Sequence, residues 1–148
     1  MLYDKIKEYF KYFYVFGLCL VFSCSSQVNL PPNDLIEGNI RNTDVTVLVE
    51  VTNAEITDSF GGYVEVKITG TVLKNYIGDD LEEGDILHYF EIWEKLIAEE
   101  DMKDMISTKQ IASLSKKNDK YLIPDVAYSF EYSDKLDKKF SYIIKKIR

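Results

Sequence analysis

Alternating hydrophobic and polar residues predict three strands in the middle of the chain. The segments 44–56, 63–77 and 85–93 each repeat with the two-residue period of a strand that buries one face. The first carries valine at every second position: Val45, Val47, Val49 and Val51. The turns FGGY (60–63) and GDDLEEGD (78–85) separate the strands. The sequence therefore predicts three consecutive, closely connected strands.

After the third strand the hydrophobic period changes from two residues to that of a helix. We predict a helix within 94–107, followed by a less regular connection. Its apolar stripe consists of Ala98, Met102, Met105 and Ile106. A short strand is predicted in KKNDKYLIP (116–124), and a closing strand in FSYIIKKI (140–147). Gly70 lies inside the second strand, where an isolated glycine indicates a bulge or bend.

This order of elements predicts a mainly β fold with one helix, a small, partly open antiparallel β-barrel. A strand that bends at a glycine is one way in which a sheet curves toward closure. About 105 residues follow position 43, and this is enough for one compact core. Another antiparallel α+β sheet is the alternative.

The first 23 residues differ from the rest of the chain. Lys5, Lys7 and Lys11 give the start a small positive excess, and the run YFYVFGLCLVFS (12–23) carries no charge. Twelve helical residues span roughly 18 Å, well short of the ~30 Å hydrocarbon core of a bilayer. A cationic start followed by a short apolar centre predicts a secretory signal.

The signal ends in VFSC (21–24), which resembles the lipobox of bacterial lipoproteins. An aliphatic residue, Val21, lies three positions before Cys24, and a small residue, Ser23, lies directly before it. The resemblance implies cleavage between Ser23 and Cys24, and covalent diacylglycerol and N-acyl (palmitate) chains on Cys24. An uncleaved anchor and a signal peptide without lipidation are the alternatives. A disulfide between Cys19 and Cys24 inside this apolar run is not expected.

The segment SSQVNLPPNDLIEGN (25–39) is polar and contains two adjacent prolines, a composition typical of a tether. We therefore divide the chain into a signal peptide (1–23), a lipidated cysteine with its tether (24–43) and a barrel domain (44–148). By the resemblance, serines rather than an acidic residue after Cys24 imply an outer membrane location facing the periplasm. The expected partners are the lipid bilayer and an envelope protein.

Four pieces of the predicted barrel resemble netrin-like domains, the OB-fold domains related to tissue inhibitors of metalloproteinases. They are DVTVLVEV (44–51), YVEVKITGTVLKNYIG (63–78), EEGDIL (82–87) and NDKYLI (118–123). The disulfides of that family are absent, and an acylated Cys24 could not act as the free amino-terminal cysteine that binds the enzyme's zinc. The resemblance therefore implies the fold and not the inhibitory function.

Residues for catalysis are few. His88 is the only histidine and lies in a predicted strand, and the chain has no G-x-S-x-G elbow, P-loop or Rossmann glycine set. An acylated Cys24 leaves no thiol for catalysis or zinc binding. We therefore expect no catalytic residues and no cofactor, and the leading hypothesis is a non-enzymatic binding or assembly module of the cell envelope.

Acidic residues concentrate in 79–104, where eleven acids face two lysines. The turn supplies the candidate calcium ligands Asp79, Asp80, Glu82, Glu83 and Asp85, although a solvated turn and helix face also accounts for them. A calcium- or ligand-binding accessory domain is one alternative function, and a hydrolase using Asp85 and Glu91 is another. The net charge of −7 and the envelope location argue against nucleic acid.

Aromatic side chains are frequent and have two interpretations. They either line a face for a peptide or glycan, or serve as core and strand-pairing residues. The set consists of Tyr63, Tyr76, Tyr89, Trp93, Tyr121, Tyr128, Tyr132 and Tyr142. The basic residues, in contrast, gather at the other end of the predicted domain, between 135 and 148.

Overall fold

The computed structural model describes residues 29–78 and 81–148. Over these residues the chain forms, in order, α1 (Asn33–Arg41), β1 (Val45–Phe60), β2 (Tyr63–Ile77), β3 (Ile86–Glu94), α2 (Lys95–Met105), β4 (Lys109–Lys117), β5 (Lys120–Leu122), β6 (Ser129–Glu131) and α3 (Asp134–Ile147). No helix in this part of the chain is long and apolar enough to cross a bilayer.

Five strands close into a barrel. They follow the order β1-β2-β3-β5-β4, and β4 pairs back with β1. The β3–β5 pair is parallel, the other pairs of the ring are antiparallel, and β6 adds to β4. The predicted fold class, a small OB-like barrel of mainly β structure, is confirmed, with a closed ring of strands and two helices beyond the one predicted.

The long, curved first strand makes this closure possible. Residues 46–50 of β1 pair with both β2 and β4, whereas its second half pairs with β2 alone. A register shift at Thr52, next to the Val51–Gly70 pair, bends the strand. A Cβ atom at Gly70 would lie 2.9 Å from the Glu50 carbonyl oxygen, so the close approach of β1 requires glycine there. The bulge predicted at Gly70 in β2 thus lies opposite it, at Thr52 in β1.

Two hydrophobic clusters hold the domain together. The first fills the barrel with inward residues of β1, β2 and β3, and α2 covers its end with the fully buried Ala98. The second lies on the outer wall of the barrel, where Leu48, Tyr76 and Ile111 meet α1 and α3. Because α1 and α3 supply most of this second cluster, they belong to the folded domain.

The predicted closing strand at 140–147 is wrong, because this segment belongs to α3. Its buried residues share one helical face: Leu136, Phe140, Ile143 and Ile144. The Ser133 hydroxyl caps the helix by accepting a hydrogen bond from the Leu136 N–H at 3.2 Å. Lysines in the last turn further stabilise the helix through its dipole.

The tether predicted over 24–43 is also corrected, since α1 occupies residues 33–41. Ile36 and Ile40 are buried in the second cluster, and the Lys139 ammonium on α3 donates a hydrogen bond to the Pro31 carbonyl. The segment was predicted as a tether because it is polar and contains prolines, although Ile36 and Ile40 are spaced as on one face of a helix. Residues 24–28 lie outside the described residues.

Strand β4 lies where we predicted an irregular connection after the helix. Ile111, Ala112, Ser113 and Leu114 are buried consecutively, because one face lines the barrel and the other lies against the second cluster. Such a strand lacks the alternation on which the prediction depended. The helix predicted within 94–107 and the short strand within 116–124 are confirmed as α2 and β5.

Candidate functional site

The candidate site lies along the edge of β3 where its pairing with β5 ends. The last pair is Phe90 with Leu122, followed by a hydrogen bond from the Ile123 N–H to the Phe90 carbonyl at 2.9 Å. Pro124 comes next and has no N–H with which to continue the ladder. From Glu91 to Glu94, no strand of the described chain covers this edge of β3.

A groove of about 490 Å³ follows this free edge, between α2 and the segment 123–126. Its apolar walls include Tyr63, Ile92, Ile97 and Val126. Ile92 is 51% exposed and Val126 is 80% exposed. Because a contiguous exposed apolar surface of this kind is typical of interaction sites, the groove is the best candidate for binding.

The segment that forms the outer wall is held from behind by two hydrogen bonds. The buried Asn39 of α1 donates through Nδ2 to the Ala127 carbonyl at 2.5 Å, and the Ser113 N–H of β4 donates to the Tyr128 carbonyl at 2.8 Å. Ala127 adopts a positive φ of 67°, a conformation that L-residues rarely take. These two bonds fix the wall segment in this turn.

The rim of the groove is acidic. Glu94, Asp101 and Asp125 lie there, Glu91 lies on the floor, and no lysine or arginine lines the groove. A second hollow of about 360 Å³ shares Trp93 and Asp101 with the groove and adds Asp104 and Glu131. Carboxylates of one sign around a concave surface favour a cationic ligand.

The floor of the groove contains a carboxylate on the inward side of β3. Inward positions on this strand alternate through Leu87, Tyr89, Glu91 and Trp93. Burial raises the pKa of Glu91, and a hydrogen bond from the Trp93 indole acts in the opposite direction. Glu91 is thus a partly desolvated hydrogen-bonding group beside the groove.

Tyr89 lies deeper in the barrel, next to Glu91. Its side chain is fully buried, and its hydroxyl has no hydrogen-bond partner among the described residues. Burial, and secondarily the negative charge of Glu91, raise the pKa of Tyr89. The hydroxyl therefore stays protonated and is an unused donor.

The calcium ligands predicted in the turn 78–85 are only partly described. Asp79 and Asp80 lie outside the described residues, as do Ser23 and Cys24. The Asp85 carboxylate accepts a hydrogen bond from the Glu82 N–H at 2.8 Å and so closes its own turn, while Glu82 and Glu83 are exposed. Within 29–78 and 81–148, no three metal-ligating side chains gather at one point. Calcium binding by this turn stays an alternative hypothesis.

The carboxylates of the predicted hydrolase are not brought together. Glu91 is six positions after Asp85, roughly 20 Å along a strand, and only Glu91 reaches the groove. His88 lies on the outward face of β3, where its Nδ1 is 3.0 Å from the Thr69 hydroxyl.

The eight aromatic residues do not form one face. Tyr89 is inside the barrel and Tyr76 lies under α3. Tyr63 and Trp93 line the groove, and Tyr142 is exposed on α3. The sequence did contain one signal for the site, the acidic Glu91 at an inward position between two aromatic residues.

Comparison with known proteins adds no further constraint on this site. No protein-family model matches the chain, and no curated protein matches it.

Proposed function

We propose that the protein is a lipid-anchored, non-enzymatic binding module of the bacterial cell envelope, and that its groove binds an extended, basic and apolar segment of a partner protein. The observation that carries the proposal is the free edge of β3, which is lined by exposed apolar side chains and rimmed by carboxylates.

The backbone of β3 favours an extended ligand. Alternate residues of a strand direct their N–H and C=O groups to the same edge. Because the Phe90 carbonyl bonds to Ile123, the backbone groups of Ile92 face the groove. A bound segment would add a strand there, with main-chain hydrogen bonds supplying affinity and alternate side chains supplying specificity.

The side chains of the groove define the composition of that segment. Apolar residues of the ligand would contact Ile92, Ile97 and Val126, and basic residues would face Glu94 and Asp125. Strong positive charge on the partner would also speed association with the acidic rim.

The test uses an octapeptide of alternating lysine and valine. Trp93 is the only tryptophan of the chain and lines the groove, so its fluorescence reports on occupancy. We expect a saturable change with the Lys-Val peptide and none with a Glu-Val peptide of equal length. A response to neither peptide, or equal affinity for both, would contradict the proposal.

A pair of charge reversals locates the binding. Glu94→Lys with Asp125→Lys should weaken binding of the Lys-Val peptide at least tenfold, because both carboxylates line the groove. Glu99→Lys with Glu100→Lys, on the exposed part of α2 outside the groove, provides the matched control and should have a small effect that salt removes.

The lipid anchor has its own test. Because the lipobox VFSC predicts acylation of Cys24, Cys24→Ser should release the protein from membranes, whereas Cys19→Ser should leave it attached. The mass of the amino-terminal peptide gives an independent measurement. Membrane retention of Cys24→Ser with an unmodified peptide would favour the uncleaved anchor.

A further inference from the structure

The exposed face of α3 carries lysines around one aromatic side chain. Tyr142 is 64% exposed; Lys138 lies four residues before it, and Lys145 and Lys146 lie three and four residues after it. Residues at these spacings are neighbours on a helix surface. We define the lysine face of α3 as Lys135, Lys138, Tyr142, Lys145 and Lys146, all exposed.

The charge of this face contrasts with the rest of the domain. Residues 134–148 contain six basic and two acidic side chains, whereas the other described residues carry a net charge of −10. Of the two acids, Asp137 turns to the flank of the helix and bonds to Lys74 at 2.6 Å, and Asp134 accepts a hydrogen bond from the Tyr132 hydroxyl at 2.9 Å. The described residues form no salt bridge with a lysine of the face.

The chain enters the domain beside this helix. The Lys139 ammonium holds the Pro31 carbonyl, and α1 packs on α3. Cys24 is seven residues before Pro31, and seven residues span at most roughly 25 Å. A membrane attachment at Cys24 therefore keeps α3 close to the bilayer.

We propose that the lysine face of α3 rests on anionic phospholipid headgroups, with Tyr142 at the membrane interface. This proposal rests on the membrane attachment proposed above. Each lysine near an anionic surface strengthens binding by about fivefold, and tyrosine prefers the boundary between headgroups and hydrocarbon. Because α3 packs on the wall formed by β1, β2 and β4, this orientation leaves the β3 groove accessible to a partner.

The experiment measures lysine labelling of the full-length protein on vesicles. One set of vesicles is phosphatidylcholine alone, and the other is phosphatidylcholine mixed with phosphatidylglycerol. An amine-reactive reagent and mass spectrometry give the rate at each lysine. We expect Lys138, Lys145 and Lys146 to react several-fold more slowly on the anionic vesicles, with the difference lost at high salt. Lys95 and Lys103 of α2 should react equally on both.

A charge variant and its control complete the test. In the variant Lys138→Gln, Lys145→Gln, Lys146→Gln, Lys135 should react at the same rate on anionic vesicles as on phosphatidylcholine vesicles, so that its protection by anionic lipid is lost. In the control Lys95→Gln, Lys103→Gln, Lys120→Gln, it should remain. All six residues are exposed, so we expect both variants to fold, and circular dichroism checks this.

The possible outcomes separate this proposal from the anchor. Equal labelling on both kinds of vesicle overturns the lysine face. A protein that binds neither kind of vesicle in a flotation assay also overturns it. Protection that grows with protein concentration without vesicles also overturns it, because it assigns the face to a second copy of the chain. If the full-length protein proves by mass to carry no acyl chain and still shows slower lysine labelling on anionic vesicles, that result contradicts the lipid anchor and supports the lysine face.

Discussion

A single glycine determines how closely two strands of the barrel approach each other. At Gly70 the Glu50 backbone occupies the space where any other residue would place its side chain. The sequence marks this position as unusual, because an isolated glycine inside a strand indicates a bulge, a bend or a close approach of another backbone. It does not identify Glu50 as the neighbour, since that contact depends on the register of β1 and β2.

We expect Gly70→Ala to lower the free energy of unfolding by about 1–3 kcal/mol, because the methyl group would force the backbones of β1 and β2 apart. Urea denaturation measures the loss. Gly62→Ala is the matched control, since a Cβ atom there meets nothing within 4 Å. A loss at Gly62 as large as that at Gly70 would refute this role of close packing.

Asp137 links α3 to β2 through charge. Burial pushes its pKa upward, but hydrogen bonds from Lys74 and Tyr76 outweigh it and bring the pKa below its ordinary value. An acid with a lowered folded-state pKa stabilises the fold above its unfolded pKa of about 3.9. The stabilisation is lost as the pH falls through the folded-state value.

Asp137→Asn should therefore reduce the free energy of unfolding by about 1–3 kcal/mol at pH 7. Below pH 4 the variant should lose less stability than the wild type. Urea midpoints of the wild type and the variant at pH 7 and pH 3 measure both effects, and the two midpoints should lie closer together at pH 3 than at pH 7. Midpoints that stay equally far apart at the two pH values would show that the carboxylate charge has no role.

At the scale of elements, the strands with one buried face were predictable and those with two were not. The alternation of Val45 to Val51 marks β1, whereas the consecutive buried residues of β4 carry no period. The segment of α3 contains aromatic and β-branched residues that suit a strand as well as a helix. Ile36 and Ile40 were the main apolar signal of α1 in a proline-containing segment.

The groove was less predictable than the elements that form it. Glu91 is recognisable as an acid at an inward position, but the free edge of β3 arises because β5 ends at Leu122 and Pro124 follows. The wall segment also depends on Asn39, which is 88 residues away from its partner Ala127. Sequence patterns do not reveal contacts over such distances.

We expect Phe140→Ala to destabilise the protein by about 3–5 kcal/mol, the usual cost of truncating a fully buried phenylalanine. Its ring contacts Tyr76 and Phe130 in the second cluster. Thermal unfolding followed by circular dichroism measures the change. Tyr142→Ala on the exposed face of the same helix should change stability little, and a comparable loss there would contradict the burial pattern of α3.

At the scale of the whole molecule, charge is divided between two regions. The groove and α2 are acidic, and α3 is basic. The two proposed partners, a basic segment and an anionic membrane, match this division. The calcium-binding alternative instead depends on the turn 78–85, where the carboxylate of Asp85 is already hydrogen-bonded to the backbone.

We expect millimolar calcium to leave the melting temperature unchanged, because the Asp85 carboxylate already bonds to its own turn. Calcium bound only to the folded state would raise the melting temperature. Magnesium at the same concentration provides the control for ionic strength. A rise with calcium that EDTA reverses and that Asp79→Asn with Asp80→Asn abolishes would favour the calcium-binding accessory domain.

The packing of α1 on α3 also affects how the protein folds during its synthesis. Lys139 and Pro31 are 108 residues apart, so the contact between α1 and α3 cannot form until the last helix has been synthesised. Contacts between such distant residues form slowly, since a long loop must close before they do. A chain that crosses the membrane from its amino terminus would therefore complete this domain only after translocation has ended.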